Sequence, residues 1–294
     1  MDGVAAPVVV DHGTGLTMTS YGRRFYKLTG SGNDFVFVDA REEPAGRLED
    51  PEVLGGLCAR GTGIGADGIV FVEPPKSSDE RFSIRYLNRD GSLALLCGNA
   101  SLCSVRLAAE LEIVAPGEDF QFGTGAGVVR GRLTNDGPEV DIQPVTEMET
   151  EKSLQRVPSD RHMGFAMVGV PHVVVLCGGD IEHVDVEGRG RLIRYDPALA
   201  SGANVNFVAR EGDGWAVRTY ERGVEAETLA CGTGAVATGA LLAAWGESGS
   251  AASLRTRSGL TLSVRFREGK GGLLAPSLAG EGRIVFRGEL PEVT

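Results

Sequence analysis

The chain has 294 residues, 42% of them hydrophobic, which is enough for one large or two ordinary domains with filled cores. Its formal net charge of −11 argues against nucleic acid or an anionic membrane surface as the main partner. The sequence has no apolar run long enough to span a bilayer, and residues 1–24 lack the basic and apolar segments of a secretory signal, so we expect a cytoplasmic protein with no membrane partner.

The first predicted elements form a hairpin. Residues 1–21 precede it and are expected to be a flexible tail. Residues 25–28 and 35–38 are predicted strands, joined by the polar, glycine-rich loop 29–34. This loop offers backbone N–H groups and the Asn33 side chain at a strand end, although an ordinary hairpin loop is the alternative interpretation.

A glycine motif follows, but its context is wrong for nucleotide binding. Gly63, Gly65 and Gly68 match G-x-G-x-x-G, with a predicted helix at 51–59 before them and a predicted strand at 69–72 after them. The dinucleotide fingerprint requires the opposite order, a strand and then a helix. We therefore interpret these glycines as part of a tight turn.

The rest of the chain is dominated by short strand-like segments. Residues 143–158, rich in charge and with prolines near both ends, are the candidate passage between two domains. The remaining predicted strands lie at 82–88, 120–122, 127–133, 140–142, 165–168, 173–176, 205–208, 215–222, 253–257, 260–266 and 283–288.

Two predicted helices each follow a cysteine and a glycine. Residues 100–111 have apolar residues at helical spacing, while 235–245 is apolar on nearly every face and should be buried all round. A strand and a polar turn precede Cys97 and Cys231 with nearly the same spacing. The repeat predicts an α+β fold of two pseudo-symmetric domains, each a curved, mainly antiparallel sheet around a central helix, with the active site in the cleft between them.

Cys97 and Cys231 are the candidate catalytic residues, whereas Cys58, Cys103 and Cys177 are interpreted as inert core residues. Unpaired N–H groups and the positive dipole end at a helix start bind anions, and we expect them to lower the pKa of both thiols. Two thiols facing one carbon could invert an amino-acid stereocentre. One thiolate would remove the α-hydrogen while the other thiol protonates the opposite face, and the helix N–H groups would stabilise the charge on the carboxylate.

No cofactor or metal is predicted for this chemistry. The five cysteines include no Cys-x-x-Cys pair, and the four histidines form no recognisable zinc cluster. Five thiols cannot all pair, and in a cytoplasmic protein we expect them to be reduced. None of the lysines has a convincing pyridoxal phosphate setting; they are Lys27, Lys76, Lys152 and Lys270.

Several motifs together resemble the diaminopimelate epimerases, which are pyridoxal-independent two-cysteine enzymes of lysine and peptidoglycan biosynthesis. The likeness extends from about residue 25 to about residue 290. The matching segments are 27–35 (KLTGSGNDF), 65–68 (GADG), Asn88 with 90–92 (DGS), 97–99 (CGN) with Cys103, 171–172 (PH), 204–208 (NVNFV), 220–223 (YERG) and 231–235 (CGTGA).

The resemblance implies a homodimer that epimerises LL-2,6-diaminopimelate to the meso form, with Cys97 and Cys231 as the acid and base. It implies an N-terminal domain at 22–142 that is completed by a C-terminal strand at 278–294, and a C-terminal domain at 143–277. The resemblance implies that the reacting carboxylate is held by the backbone of Gly98, Asn99, Gly232 and Thr233, with Asn33 nearby. It implies that the distal end of the substrate is held by Asn88, Asn204, Glu221 and Arg222. His172 is included in the substrate site because it belongs to the matching Pro-His motif.

Two departures from the family pattern leave the substrate open. Where the family has Gly-Ala-Arg after the first Cys-Gly-Asn, this chain has Ala100-Ser101-Leu102, and Val170 replaces an asparagine that binds the distal carboxylate. Losing a polar partner weakens selectivity for that carboxylate. One alternative is therefore a racemase or epimerase of a different amino acid. Another is a non-catalytic anion-binding relative, since Gly232, Gly234 and Ala237 fit G-x-G-x-x-A.

Overall fold

The computed structural model describes residues 22–268 and 274–290, so the expected tail at 1–21 and the last residues of the predicted segment 278–294 lie outside it. The described residues form four α-helices and 18 strands, and the predicted α+β class is confirmed. The helices are α1 (Pro51–Cys58), α2 (Gly98–Glu110), α3 (Val186–Arg194) and α4 (Gly232–Ala244).

The strands match the predicted segments, with additional short strands between them. They are β1 (Arg23–Gly30), β2 (Asn33–Asp39), β3 (Gly68–Glu73), β4 (Ser83–Asn88), β5 (Leu93–Ala94), β6 (Asp119–Thr124), β7 (Gly127–Thr134), β8 (Gly137–Asp141), β9 (Glu147–Glu149), β10 (Asp160–Val168), β11 (Val170–Cys177), β12 (Asn204–Glu211), β13 (Gly214–Glu221), β14 (Ala226–Thr228), β15 (Ala251–Arg255), β16 (Thr261–Glu268), β17 (Leu274–Ala279) and β18 (Arg283–Leu290).

The strand pairing repeats between the two halves of the chain. β1 and β2 form an antiparallel hairpin, β2 continues in parallel with β3, and β3 is antiparallel to β4. β10, β11, β12 and β13 repeat the same sequence of pairings. α1 and α3 connect the parallel strands in the two halves, while α2 and α4 follow the fourth strand of each set. The pseudo-twofold organisation is therefore visible in the hydrogen-bond ladders.

Two strands connect the halves. The last strand, β18, is antiparallel to β1, and β9 occupies the equivalent place beside β10 in the second half. β17 is antiparallel to both β16 and β8, so Leu278 lies between Val264 on one side and Val140 on the other. The domain boundaries near 142 and 277 remain a prediction, because β17 hydrogen-bonds with strands on both sides of them.

α2 and α4 lie in one shared hydrophobic core, as their apolar patterns predict. Nine successive residues of α4, from Gly234 to Leu242, are buried, which confirms burial on every face. Side chains of both helices belong to one continuous apolar cluster. α1 and α3 cover the outer faces, and each begins at an aspartate, Asp50 or Asp185, whose carboxylate accepts a backbone N–H of the first turn.

The G-x-G-x-x-G segment joins α1 to β3, which confirms that it lies in the reverse of the dinucleotide-binding order. Gly65 has a φ of 75°, in the left-handed region that favours glycine. Within the described residues, no helix is both long and apolar enough to cross a membrane.

Candidate active site

Cys97 and Cys231 lie immediately before the first residues of α2 and α4. Both residues have extended backbone angles, so each thiol projects at the point where the chain turns into the helix. Neither side chain hydrogen-bonds back to cap its own helix. The N–H groups of both first turns are therefore available to an anion.

The two helix starts meet at their glycines. A Cβ built on Gly98 would lie 3.7 Å from Cα of Gly232, and the reverse distance is also 3.7 Å. The side chain of Leu278 packs against both glycines. Its Cδ2 atom lies 3.2 Å from a Cβ built on Gly98 and 3.0 Å from a Cβ built on Gly232. A Cβ at either glycine would therefore press on Leu278, whereas its distance to the opposite glycine is an ordinary van der Waals contact.

A cleft of about 640 Å³ opens in front of this junction and is lined by residues from both halves. The sequence-predicted site residues all line it except His172. They are Asn33, Asn88, Cys97, Gly98, Asn99, Asn204, Glu221, Arg222, Cys231, Gly232 and Thr233.

The loop at 29–34 reaches across the cleft. Its turn residues Ser31 and Gly32 have φ angles of 52° and 109°. A Cβ on Gly32 would lie 2.7 Å from Cβ of Leu229 and 3.0 Å from Cβ of Ser258, both in the C-terminal half. Only a glycine fits so close to those side chains, so the loop packs directly against the C-terminal half.

A chain of polar side chains holds this loop against α2. Asn99 donates from Nδ2 to Oδ1 of Asn33 at 2.6 Å, and Asn33 donates from Nδ2 to Asp67 at 3.0 Å. Asp67 in turn accepts from Arg60 at 2.9 Å. Because Asp67 can only accept, this chain fixes the orientation of the buried Asn99 amide, and its Oδ1 is left with no partner among the described residues.

Asn204, Glu221 and Arg222 form the opposite wall. The backbone N–H of Arg222 donates to Oδ1 of Asn204 at 2.7 Å, and its guanidinium donates to the carbonyl of Ser201 at 3.2 Å. Arg222 forms no ion pair within the described residues. Burial raises the pKa of the Glu221 carboxyl, and the nearby Thr228 hydroxyl partly offsets that effect.

His172 lies behind this wall and is fully buried. Nδ1 of its ring faces Nδ2 of Asn206 at 3.2 Å, while Nε2 has no partner among the described residues. Burial, with the positive charge of Arg222, lowers the pKa of His172 to about 3, so the ring is neutral at physiological pH. The structure therefore gives His172 a position that supports the wall rather than one on the cleft surface.

The expected lowering of the thiol pKa is wrong for the unliganded protein. Burial raises the pKa of Cys97 to about 11 and that of Cys231 to about 12, from an ordinary value of 9.0. The backbone N–H groups of the helix starts favour the thiolate forms, and with the Thr233 hydroxyl beside Cys231 they act in the lowering direction. They are outweighed by desolvation and by the negative charge of Glu221 near both sulfurs.

Sequence reasoning missed several residues of the cleft. Gln143 was assigned to the passage between domains, yet it lines the cleft beside Gly169. Thr228 and Val224 also line it, and Asp67 orients Asn33 from outside it. The only signal for Asp67 was its place in the family motif.

All five cysteines are free thiols, and Cys58, Cys103 and Cys177 are buried. Across residues 22–268 and 274–290, no three histidine, cysteine, aspartate or glutamate side chains lie close enough together to hold a metal ion.

A family model and two curated relatives identify the same family. A family model described as diaminopimelate epimerase matches residues 25–151 and 164–273. The chain is 45% identical over 282 residues to the diaminopimelate epimerase of Gemmatimonas aurantiaca, covering 90% of this chain and 98% of that protein. It is 39% identical over 281 residues to the diaminopimelate epimerase of Aquifex aeolicus, covering 91% and 98%.

Solved structures share the fold at low sequence identity. A phenazine biosynthesis protein of the PhzF family from Bacillus anthracis has a TM-score of 0.70 at 14% identity, covering 93% of this chain and 100% of that one. A hydroxyproline epimerase from Agrobacterium vitis has a TM-score of 0.61 at 18% identity, covering 92% and 93%.

Proposed function

This chain belongs to the diaminopimelate epimerase family, and from that premise we propose that it converts LL-2,6-diaminopimelate to the meso form without a cofactor. The observation that carries the proposal is the junction of two helix starts, each preceded by a cysteine, at one cleft. The product would serve lysine biosynthesis, as the resemblance implies.

The proposed reaction uses the two sulfurs on opposite faces of the α-carbon. One cysteine, as thiolate, takes the α-proton, and the electron pair left behind is delocalised into the adjacent carboxylate. The other cysteine, as thiol, donates its proton to the opposite face of the carbon. Cys97 and Cys231 thereby exchange protonation states, and the substrate leaves with one stereocentre inverted.

The raised pKa of the thiols has two opposing effects on the proton transfer. A thiolate with a pKa near 11 or 12 is a stronger base than an ordinary cysteine thiolate, but forming it at neutral pH costs about 1.36 kcal/mol for each pK unit. The carboxylate gains charge as the proton leaves, and the free N–H groups of α2 and α4 are the donors that would stabilise it.

The distal amino-carboxylate end would lie against the other wall. Arg222 can pair with a carboxylate, Glu221 can accept from an ammonium group, and Asn88 and Asn204 add polar side chains to the same cleft. A racemase or epimerase for another amino acid is the second candidate, favoured by the apolar Val170 in the cleft wall.

The assembly is proposed to be a homodimer in the cytoplasm. Five free thiols suit a reducing compartment.

The proposed dimer interface is the edge strand β18. It pairs with β1 and has no second strand partner in the described part of the chain, and its Val285 and Phe286 are 47% and 46% exposed. An apolar edge strand is covered well by a second copy. Light scattering tests this: Phe286→Asp should give monomers, while Leu192→Asp, at an exposed site on α3, should leave dimers intact.

The activity is tested by incubating the protein in heavy water with amino acids, reducing agent and no pyridoxal phosphate. Loss of the α-proton signal of LL-diaminopimelate, with meso-diaminopimelate as product, is the expected result. Exchange with a different amino acid alone would establish the second candidate. Absence of exchange with every amino acid would favour the non-catalytic alternative.

A further inference from the structure

The tip of the β10–β11 hairpin forms an apolar part of the cleft rim. Val168 and Val170 face each other across the hairpin, and Gly169 makes the turn with a φ of 70°. All three line the cleft. The two valine side chains and the glycine offer no side-chain hydrogen bond to a polar ligand.

Gln143 places a primary amide on this apolar rim. A Cβ built on Gly169 would collide with Oε1 of Gln143 and would lie 3.3 Å from its Cδ. The amide therefore rests on the glycine, in space that a side chain would fill. Nε2 is farther from the same point, at 4.0 Å, so the N–H groups are directed away from Gly169.

This amide has no role inside the protein that accounts for its position. Gln143 is exposed and lines the cleft, and its side chain makes no hydrogen bond within residues 22–268 and 274–290. Its neighbour Ile142 also lines the cleft, and its Cδ1 lies 3.8 Å from a Cβ built on Gly98. The segment therefore runs from Gly98 at the helix junction towards Gly169 at the rim, and Gln143 lies at the rim end.

The ligand chemistry follows from what the cleft already provides. The helix starts of α2 and α4 supply N–H groups for the reacting carboxylate, which leaves the second carboxylate of a diamino diacid to be bound elsewhere. Arg222 supplies one cation for it. A carboxylate accepts up to about four hydrogen bonds, so an additional neutral donor at the rim is compatible with that pairing.

We propose that Gln143 is a specificity-determining residue, whose side-chain amide donates a hydrogen bond to the distal carboxylate of the substrate at a rim where Val170 offers none. The inference rests on the proposed function and adds a residue to it. It also explains how a cleft with a valine at that position can select a diamino diacid.

The test is steady-state kinetics of LL-diaminopimelate epimerisation. Gln143→Ala should raise KM about tenfold, the effect of one lost hydrogen bond to a charged group, with kcat within about twofold of wild type. Gln143→Glu keeps the shape but opposes a carboxylate, so its KM should rise further. Gln121→Ala, at an exposed glutamine on β6, is the matched control and should be unchanged.

The outcomes separate this inference from the function. Wild-type protein that does not epimerise diaminopimelate overturns the proposed function and this inference with it. Active wild type with an unchanged KM in Gln143→Ala overturns the inference alone. A lower KM in Gln143→Glu than in wild type also overturns it, because the side chain would then face the substrate's ammonium group.

Discussion

Gly98 and Gly232 lie so close that a Cβ built on either would be in van der Waals contact with Cα of the other, at 3.7 Å. Each is the first residue of its helix, and each follows one of the two cysteines. The contact therefore sets how far apart the two sulfurs and the two sets of N–H donors lie. A fixed spacing is what a reaction on both faces of one carbon requires.

Gly232→Ala should damage catalysis more than folding. The added methyl would lie 3.0 Å from Cδ2 of Leu278, so Leu278 or the helix start must shift by a few tenths of an ångström. A small misplacement of catalytic groups can cost about a hundredfold in kcat/KM, and we expect a loss of that order. Gly56→Ala is the control, since Gly56 lies in α1 with no neighbour within 4 Å of the new methyl. It should keep full activity and gain up to about 1 kcal/mol of stability.

Cys97→Ser and Cys231→Ser should each abolish most of the turnover. A serine hydroxyl is a far weaker acid than a thiol, so each variant should lose about 10²- to 10⁴-fold in kcat in both directions of the reaction. Near-unchanged circular dichroism spectra would show that the fold is retained. Cys177→Ala removes a buried sulfur from β11 and should remain active. Full activity in either serine variant would contradict the two-base assignment.

Alkylation of the unliganded protein should accelerate steeply with pH. With pKa values of about 11 and 12, Cys97 and Cys231 should gain about tenfold in thiolate, and in iodoacetamide labelling rate, for each pH unit between 7 and 10. Glu221→Gln removes a charge that raises both pKa values and should speed labelling at a given pH. Glu211→Gln, remote from the cleft, serves as the control. A labelling rate that levels off below pH 9 in the wild type would mean that burial does not dominate.

His172 should make the protein less stable in mild acid. Its folded-state pKa of about 3 is below the ordinary value of 6.5, so between these values the unfolded chain binds a proton that the folded chain does not. The contribution of His172 to the free energy of unfolding is therefore fully present above pH 6.5. It decreases by about 1.4 kcal/mol per pH unit between pH 6.5 and about pH 3. Urea unfolding at several pH values measures this slope. In His172→Gln the free energy of unfolding should depend less steeply on pH, by the amount that one bound proton contributes. The same change at exposed His183 should leave the slope as in wild type, and an unaltered slope in His172→Gln would refute the assignment.

Local patterns in the sequence predict most of the fold. Strand alternation and glycine turns locate the β1–β2 and β15–β16 hairpins, and the repeated Cys-Gly before an apolar segment locates α2 and α4. These features depend on residues close together in the chain, so their physical causes are visible in the sequence.

Properties that depend on distant residues could not be predicted in this way. The hydrogen bond from Asn99 to Asn33 joins residues 66 positions apart. Helix dipoles are local and argue for a low thiol pKa, whereas desolvation of the half-buried Cys97 and Cys231 comes from the assembled halves and raises the pKa instead. Gln143 follows β8 in a charged segment, and only the position of Gly169 reveals that it lines the cleft.

Leu278 contributes both to the core and to the active site. It fills the core between Val140 and Val264, and the same methyl group supports the glycines that begin both active-site helices. Selection for tighter packing at this position would therefore also change the catalytic spacing. An engineer who seeks a more heat-resistant version should leave this leucine alone and strengthen the outer layers around α1 and α3.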